Sequence, residues 1–219
     1  MAAKEHERLS MAVRGFAWLG ARKLDRWVRQ TAGSNDAAKV DAEGRYRALV
    51  EQVAWPPSPV LRWHLAGYLL PGVALYGALQ AMDWPTARAA SAIAKALESD
   101  TQPRRRRFER RGRRHGFFTV FSMMIRILTR LVYPSPAWKV EWLETSRQRI
   151  AFDITGCFYL DTLTELGARD LTPLYCKVDD VLYEGVSPEL AWRRTTMLST
   201  GGRLCDFRFE RVARRDRSL

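Results

Sequence analysis

Cys176, Asp179, Asp180 and Tyr183 stand three and four residues apart in a stretch whose apolar spacing predicts a helix over 173–184. Residues at those spacings share one helix face. A thiol beside two carboxylates is a set that can attack an electrophilic carbon or move protons to and from it. Leu174, Val178, Val181 and Leu182 cluster on the opposite face. If those four meet the core, the Cys/Asp face should meet solvent, where cysteine is seldom found. A cleft or another element covering that face resolves the conflict. The plainer alternative is a partly buried cap with two solvated aspartates.

Two further cysteines lie nearby in sequence. Cys205 and Asp206 sit in Leu204 to Val212, which reads as a strand. Alternation places Cys205 with Phe207 and Phe209 on one face and Asp206 with Arg208 on the other, so the pair cannot enter one site without a bulge. Taken alone, Cys205 is a small core residue and Asp206 a cross-strand partner for an arginine. Cys157 opens a helix after a strand, a position that favours thiolate. It reads as a nucleophile or as a plain core cysteine. With Asp179, Asp180 and His115 the three thiols suggest a metal site, but their spacing fits no standard zinc pattern and no Cys-x-x-Cys occurs. No cofactor or metal is therefore expected. There is no Gly-x-Ser-x-Gly elbow, no Gly-x-Gly-x-x-Gly and no phosphate-binding loop.

The elements that must hold these residues can be read along the chain. Leu9, Val13, Phe16, Ala17, Leu24 and Val28 recur near helical spacing and predict a basic amphipathic helix over 3–32. It would pack on the domain, on a second copy of the chain, or on a membrane surface. Gly33 to Asp36 forms a loop and cap before a second helix, 37–54. The run Val60–Met82, interrupted by Arg62, His64, Pro71 and Gln80, predicts a buried helix with a proline kink. Further helices are predicted over 85–98 and 117–132, the latter with Phe117, Val120, Phe121, Met124, Leu128 and Leu131 on one side. Trp138–Trp142 and Ile150–Ile154 alternate as strands about a turn at Ser146 to Gln148. Cys157–Leu166 predicts a short helix closed by Gly167. Thr172-Pro173 starts the Cys/Asp helix, which Gly185 stops. Arg194–Thr200 and Leu204–Val212 predict a hairpin turning at Gly201-Gly202. The class is α+β: a helical N-terminal half packed on a small antiparallel sheet, with short helices in the C-terminal half. The division expected is an N-terminal helical extension, 1–55, and one α+β domain, 56–219, carrying a basic insert at about 102–116.

The chain has 219 residues and a net charge of +12. Eight arginines fall between Arg104 and Arg114. Such a run draws phosphate, so weak contact with nucleic acid or an anionic membrane is expected there. Only Phe108 interleaves it and no base-reading motif accompanies it. Three cysteines give no disulfide framework, so a reduced, cytoplasmic protein is expected. Met1 to Ser10 is charged and shows no leader pattern.

The residues Cys157-Phe158-Tyr159, Leu166-Gly167, Leu174-Tyr175-Cys176-Lys177-Val178-Asp179, Arg194-Thr195 and Gly201 through Phe209 occur in one order. Together they resemble the C-terminal half of the L-2-amino-thiazoline-4-carboxylic acid hydrolase family. Leu70 through Tyr76, with Ala78-Leu79, resembles that family's amino-terminal helix. The resemblance spans about residues 60 to 211 and leaves out 1 to 55 and the arginine run. It implies hydrolysis of a non-peptide carbon–nitrogen bond in a small cyclic amidine-like carboxylate, opened to N-carbamoyl-cysteine. On this basis Cys176 is expected as nucleophile or site-lining thiol and Asp179 as general acid/base. Cys157 and Cys205 would complete the pocket, and Asp206 would orient a partner. Arg194, with Asp180 and Tyr183, would bind substrate, the arginine gripping its carboxylate. The competing class is a binding protein of the same fold acting through its basic arm, and homo-oligomer formation is compatible with either.

Overall fold

The computed structural model describes residues 11–33 and 35–213. It forms two compact units, Met1–Ala89 and Ala90–Leu219. Within the first unit, helices on both sides of residue 55 pack together.

In the first unit, α1 (Met11–Ala32) buries Leu24, Trp27 and Val28; residues 3–10 of the expected helix lie outside the described residues. The side chain of Asn35 accepts the Ala38 amide at 3.0 Å and caps α2 (Asp36–Gln52). α3 (Pro59–His64) runs through a π-helical turn, Leu65–Leu69, into α4 (Leu70–Ala81). The turn immediately precedes Pro71. Proline lacks an amide and its ring crowds the carbonyl four residues back, so a widened turn at this point lets the helix continue. Among the described residues no helix is long and apolar enough to cross a membrane.

Close packing here depends on one glycine. A Cβ built at Gly20 would overlap the Tyr46 hydroxyl and the Ala66 carbonyl oxygen, and Tyr46 donates to Ala17 O at 2.9 Å across the same contact. Gly20→Ala is therefore expected to lower stability by about 1–3 kcal/mol. Gly15→Ala, on the same helix with nothing within 4 Å of the added carbon, should raise it by about 0.5–1 kcal/mol. Urea unfolding of both variants reads the opposite signs.

α5 (Thr86–Gly112) continues well past residue 98 and takes most of the arginine run into one helix. Pro103 removes a single amide. The later turns are held by the Arg105 Nε–Glu109 Oε1 pair at 2.8 Å and by Phe108, whose ring meets Phe117 at 5.2 Å. α6 (Phe117–Val132) matches its predicted bounds, but its buried side is Phe117, Phe118, Phe121 and Ile125. Val120, Met124, Leu128 and Leu131, expected beside Phe117 and Phe121, are exposed. Buried Glu189 accepts the Gly116 and Phe118 amides at 3.0 and 3.3 Å, which satisfies donors at the start of α6.

The sheet is antiparallel throughout, in the order β1 (Trp138–Thr145), β2 (Arg149–Cys157), β4 (Cys205–Arg211), β3 (Leu190–Arg193). Ile150 pairs with Phe209, Phe152 with Phe207 and Ile154 with Cys205, which makes one apolar face. Phe152 and Phe207 stack at 4.8 Å, and Phe121 of α6 and the Tyr183 ring each meet Phe209 at 5.0 Å. On the other face Arg208 pairs with Asp153 at 2.7 Å. α7 (Phe158–Glu165) and α8 (Thr172–Tyr183) are closed by Gly167 and Gly185, at φ 68° and 64°.

The expected strand over Arg194–Thr200 is not formed. β3 ends at Arg193, Leu198–Thr200 makes a 3-10 turn, and Gly201, at φ 90°, closes that turn rather than a two-residue hairpin. Asp206 supplies the reason. Its Oδ1 accepts the amides of Thr195 and Thr196 at 2.8 and 2.7 Å, and its Oδ2 accepts the Thr195 hydroxyl at 2.8 Å. A side chain thus takes the amides that a ladder would use.

Candidate active site

The apolar face of the sheet ends where β2 runs out at Cys157 and β4 begins at Cys205. α8 lies over this end with its Cys/Asp face inward. Leu174, Val178, Val181 and Leu182, expected toward the core, are only half-buried, whereas Tyr175 is buried. Cys176, Asp179, Asp180 and Tyr183 are half-buried as well, so both faces of α8 are partly covered and the thiol and carboxylates do not stand in open solvent.

Arg194, just beyond β3, organises that face. Its Nη1 donates to Asp179 Oδ2 at 3.1 Å; its Nη2 donates to both Asp180 oxygens at 2.9 Å and to Cys176 O at 2.9 Å. The arginine side chain is 3 % exposed, Asp179 18 % and Asp180 34 %. Trp192 Nε1 adds a bond to Asp180 Oδ1 at 3.0 Å. Tyr133 donates its hydroxyl to Asp179 Oδ1 at 3.3 Å. Burial, and then the neighbouring Asp179, push the Tyr133 hydroxyl well above the usual phenol range, so it remains a donor.

Asp179 is the perturbed carboxyl of the site. Burial pushes it up to about 6, Arg194 pulls it down, Asp180 raises it and the Tyr133 bond lowers it. Asp206 differs. Its burial is outweighed by the bonds from Thr196 and Thr195, which hold it below the ordinary carboxylate range. Asp206 thus stays charged and holds the segment that follows Arg194.

Cys176 and Cys205 lie near enough to Asp179 to be raised by its charge, and Cys157 lies near enough to both thiols to influence them. Cys176 donates to Ser199 Oγ at 3.4 Å, and Cys205 Sγ accepts the Leu198 amide at 3.3 Å. Burial pushes Cys176 up to about 12 despite the Ser199 bond. It pushes Cys157 up to about 11, although the Leu160 and Tyr159 amides and the Trp138 indole pull the other way. Burial raises Cys205 as well. At neutral pH all three are thiols. Among the described residues no group of three or more His, Cys, Asp or Glu side chains is placed to hold a metal ion.

The structure therefore brings together Cys157, Cys176, Cys205, Asp179, Asp180 and Arg194. Asp206 acts from the opposite face of β4, as strand alternation requires. Tyr183 packs its ring against Phe108, Phe121, Trp192 and Phe209, and its hydroxyl lies near enough to Asp179 to be raised by that charge after burial. His115 does not join the thiols as a ligand and instead lies 3.6 Å from Glu189. Sequence reasoning missed Tyr133, Ser199 and an aromatic wall. In that wall Trp138 meets Tyr133 at 5.2 Å and Tyr159 at 5.5 Å, and Tyr159 meets Tyr175 at 5.7 Å. The one available signal for Tyr133 was its place at the end of an amphipathic helix before a proline.

Comparison with curated proteins finds no match, and comparison with solved structures finds none. A family model described as L-2-amino-thiazoline-4-carboxylic acid hydrolase matches residues 64–209. That span exceeds half of the chain and takes in α4, the sheet, α7, α8 and the Arg194 network. The chain belongs to the L-2-amino-thiazoline-4-carboxylic acid hydrolase family.

Proposed function

We propose that this protein hydrolyses L-2-amino-thiazoline-4-carboxylate, or a close ring analogue, to N-carbamoyl-cysteine. The observation that carries this reading is Asp179. It is a mostly buried carboxyl raised to about 6, held between Tyr133 and Arg194, with Cys176 and Cys205 near enough to feel its charge. A base poised near neutrality can both take and return protons during turnover.

Atom balance refines the bond at issue. In N-carbamoyl-cysteine the former ring carbon keeps both nitrogens. Water therefore adds across the ring carbon–nitrogen double bond, and the bond that finally breaks joins that carbon to sulfur. Asp179 accepts a proton from water as oxygen bonds to the ring carbon, and that proton passes to the ring nitrogen. The new hydroxyl then gives its proton, again by way of Asp179, to the departing sulfur. Tyr133 donates to the carboxylate and keeps its orientation. The chemistry needs water and these side chains, with no cofactor.

The resting thiols favour direct attack by water over a covalent step, because a thiol is a weak nucleophile beside a thiolate. Cys176, Cys157 and Cys205 then line the site, with the aromatic wall offering flat surfaces to the ring. Both terminal nitrogens of Arg194 are engaged. In this reading it positions Asp179, and a substrate carboxylate reaches it only by displacing the more exposed Asp180.

Purified protein incubated with L-2-amino-thiazoline-4-carboxylate should produce N-carbamoyl-cysteine by mass spectrometry and one new thiol per turnover. Cys176→Ser should reduce the rate by less than about tenfold, whereas loss of a covalent nucleophile would reduce it by many orders of magnitude. Folded protein that yields neither product nor thiol would remove the proposal for this substrate.

A further inference from the structure

Among the described residues, nothing covers one apolar face of α6. Its buried side is set by Phe117, Phe118, Phe121 and Ile125. Val120, Met123, Met124, Ile127, Leu128 and Leu131 recur three and four residues apart on another side, with Val120 61 %, Met123 72 % and Leu131 61 % exposed. Isolated exposed apolar residues are ordinary, but a continuous stripe along a whole helix marks a surface that meets something apolar.

The charge on α6 itself has one sign. α6 contains no acidic residue, and Arg126 and Arg130 edge the stripe. The arginine run is held close to α6, because Phe108 of α5 packs against Phe117 and Phe121 on its buried side at 5.2 and 5.9 Å. Arg106, Arg107, Arg110, Arg111 and Arg114 are all exposed. An apolar stripe rimmed by arginine is complementary to a surface that is apolar within and anionic at its edge.

We infer that α6 seats the protein on an anionic lipid surface. The stripe enters the boundary between headgroups and acyl chains, and the arginines pair with lipid phosphates. At 16 residues the helix is too short to span a bilayer and lies in its plane. A second copy of the chain is the competing occupant. A two-fold contact through the stripe would bring Arg126 and Arg130 of both copies together, and like charges disfavour it. Lipid binding by α6 is independent of the reaction proposed above.

The full chain should be sedimented with vesicles of phosphatidylcholine alone and of phosphatidylcholine with about 30 % phosphatidylserine. Binding is expected to the anionic vesicles only, and should weaken strongly between about 0.05 M and about 0.5 M salt as charges are screened. Ile127→Glu with Leu131→Glu should cut partitioning by at least about tenfold. Both side chains are exposed, so circular dichroism should be unchanged. Binding to neither vesicle, equal binding to both, or unchanged binding by the double variant would each overturn the inference. So would a wild-type dimer, seen in sedimentation velocity, that the same double variant dissociates without any lipid binding.

Discussion

Asp179→Asn should lower kcat/KM for the ring substrate by about 10²–10⁴-fold, the usual contribution of a positioned acid/base group. The asparagine oxygen can still accept from Tyr133, so secondary structure should survive, while proton transfer cannot. The wild-type pH profile carries the same prediction. Asp179 ionises near 6, and the proposed first step needs its carboxylate. The rate should therefore rise with pH through about 6 and level off above it. The asparagine variant should lose this limb along with its activity. A rate that falls through pH 6 would instead make Asp179 the acid at the outset. Tyr133→Phe supplies an internal check. The Tyr133 bond lowers the Asp179 pKa, so its removal should move the acid limb upward while leaving a folded, slower enzyme.

Much of the frame that holds Asp179 is written in local sequence. The period-two pattern of Trp138–Trp142 and Ile150–Ile154 gives β1 and β2, because only alternation buries one strand face. Gly167 and Gly185 end α7 and α8 because each takes a positive φ that a side chain resists. The three- and four-residue spacing of Cys176, Asp179 and Asp180 places them together on one face before any tertiary contact is known.

What the sequence hides is decided by partners distant in the chain. Amphipathicity points Leu174, Val178, Val181 and Leu182 inward. An arginine 15 residues after Asp179 covers the polar side of α8 as well, so both faces end half-buried. Gly201-Gly202 looks like a two-residue hairpin turn, yet Asp206 captures the amides of Thr195 and Thr196 and pulls the segment out of the ladder. Tyr133 meets Asp179 across 46 residues, a separation that no short motif spans. On α6 both sides are apolar, so periodicity alone could not say which one Phe108 and Phe209 would cover.

Arg194→Met should destabilise the protein by about 3–5 kcal/mol, since removing one partner of a buried ion pair leaves the other charge unpaired. The side chain that is lost is 3 % exposed and bonds two aspartates and a carbonyl. The pH dependence separates this electrostatic cause from lost packing. Asp179 has a folded pKa raised to about 6, above the 3.8 of a free carboxyl. Its contribution is thus most favourable below about pH 4 and falls as pH rises to 6, because the unfolded chain ionises first. Arg194 is the group that pulls the Asp179 value down. Without it the folded value climbs, and the fall in stability should continue to higher pH. The difference in unfolding free energy between wild type and Arg194→Met, measured by urea titration from about pH 4 to about pH 8, should therefore widen as pH increases. Arg194→Lys, with its charge kept and its fork lost, should recover the pH dependence but not the full stability. A pH-independent gap would mean that Arg194 matters only for its shape. Burial would then act on Asp179 without an opposing charge, and the guanidinium could not be what keeps that carboxyl ionisable near neutrality.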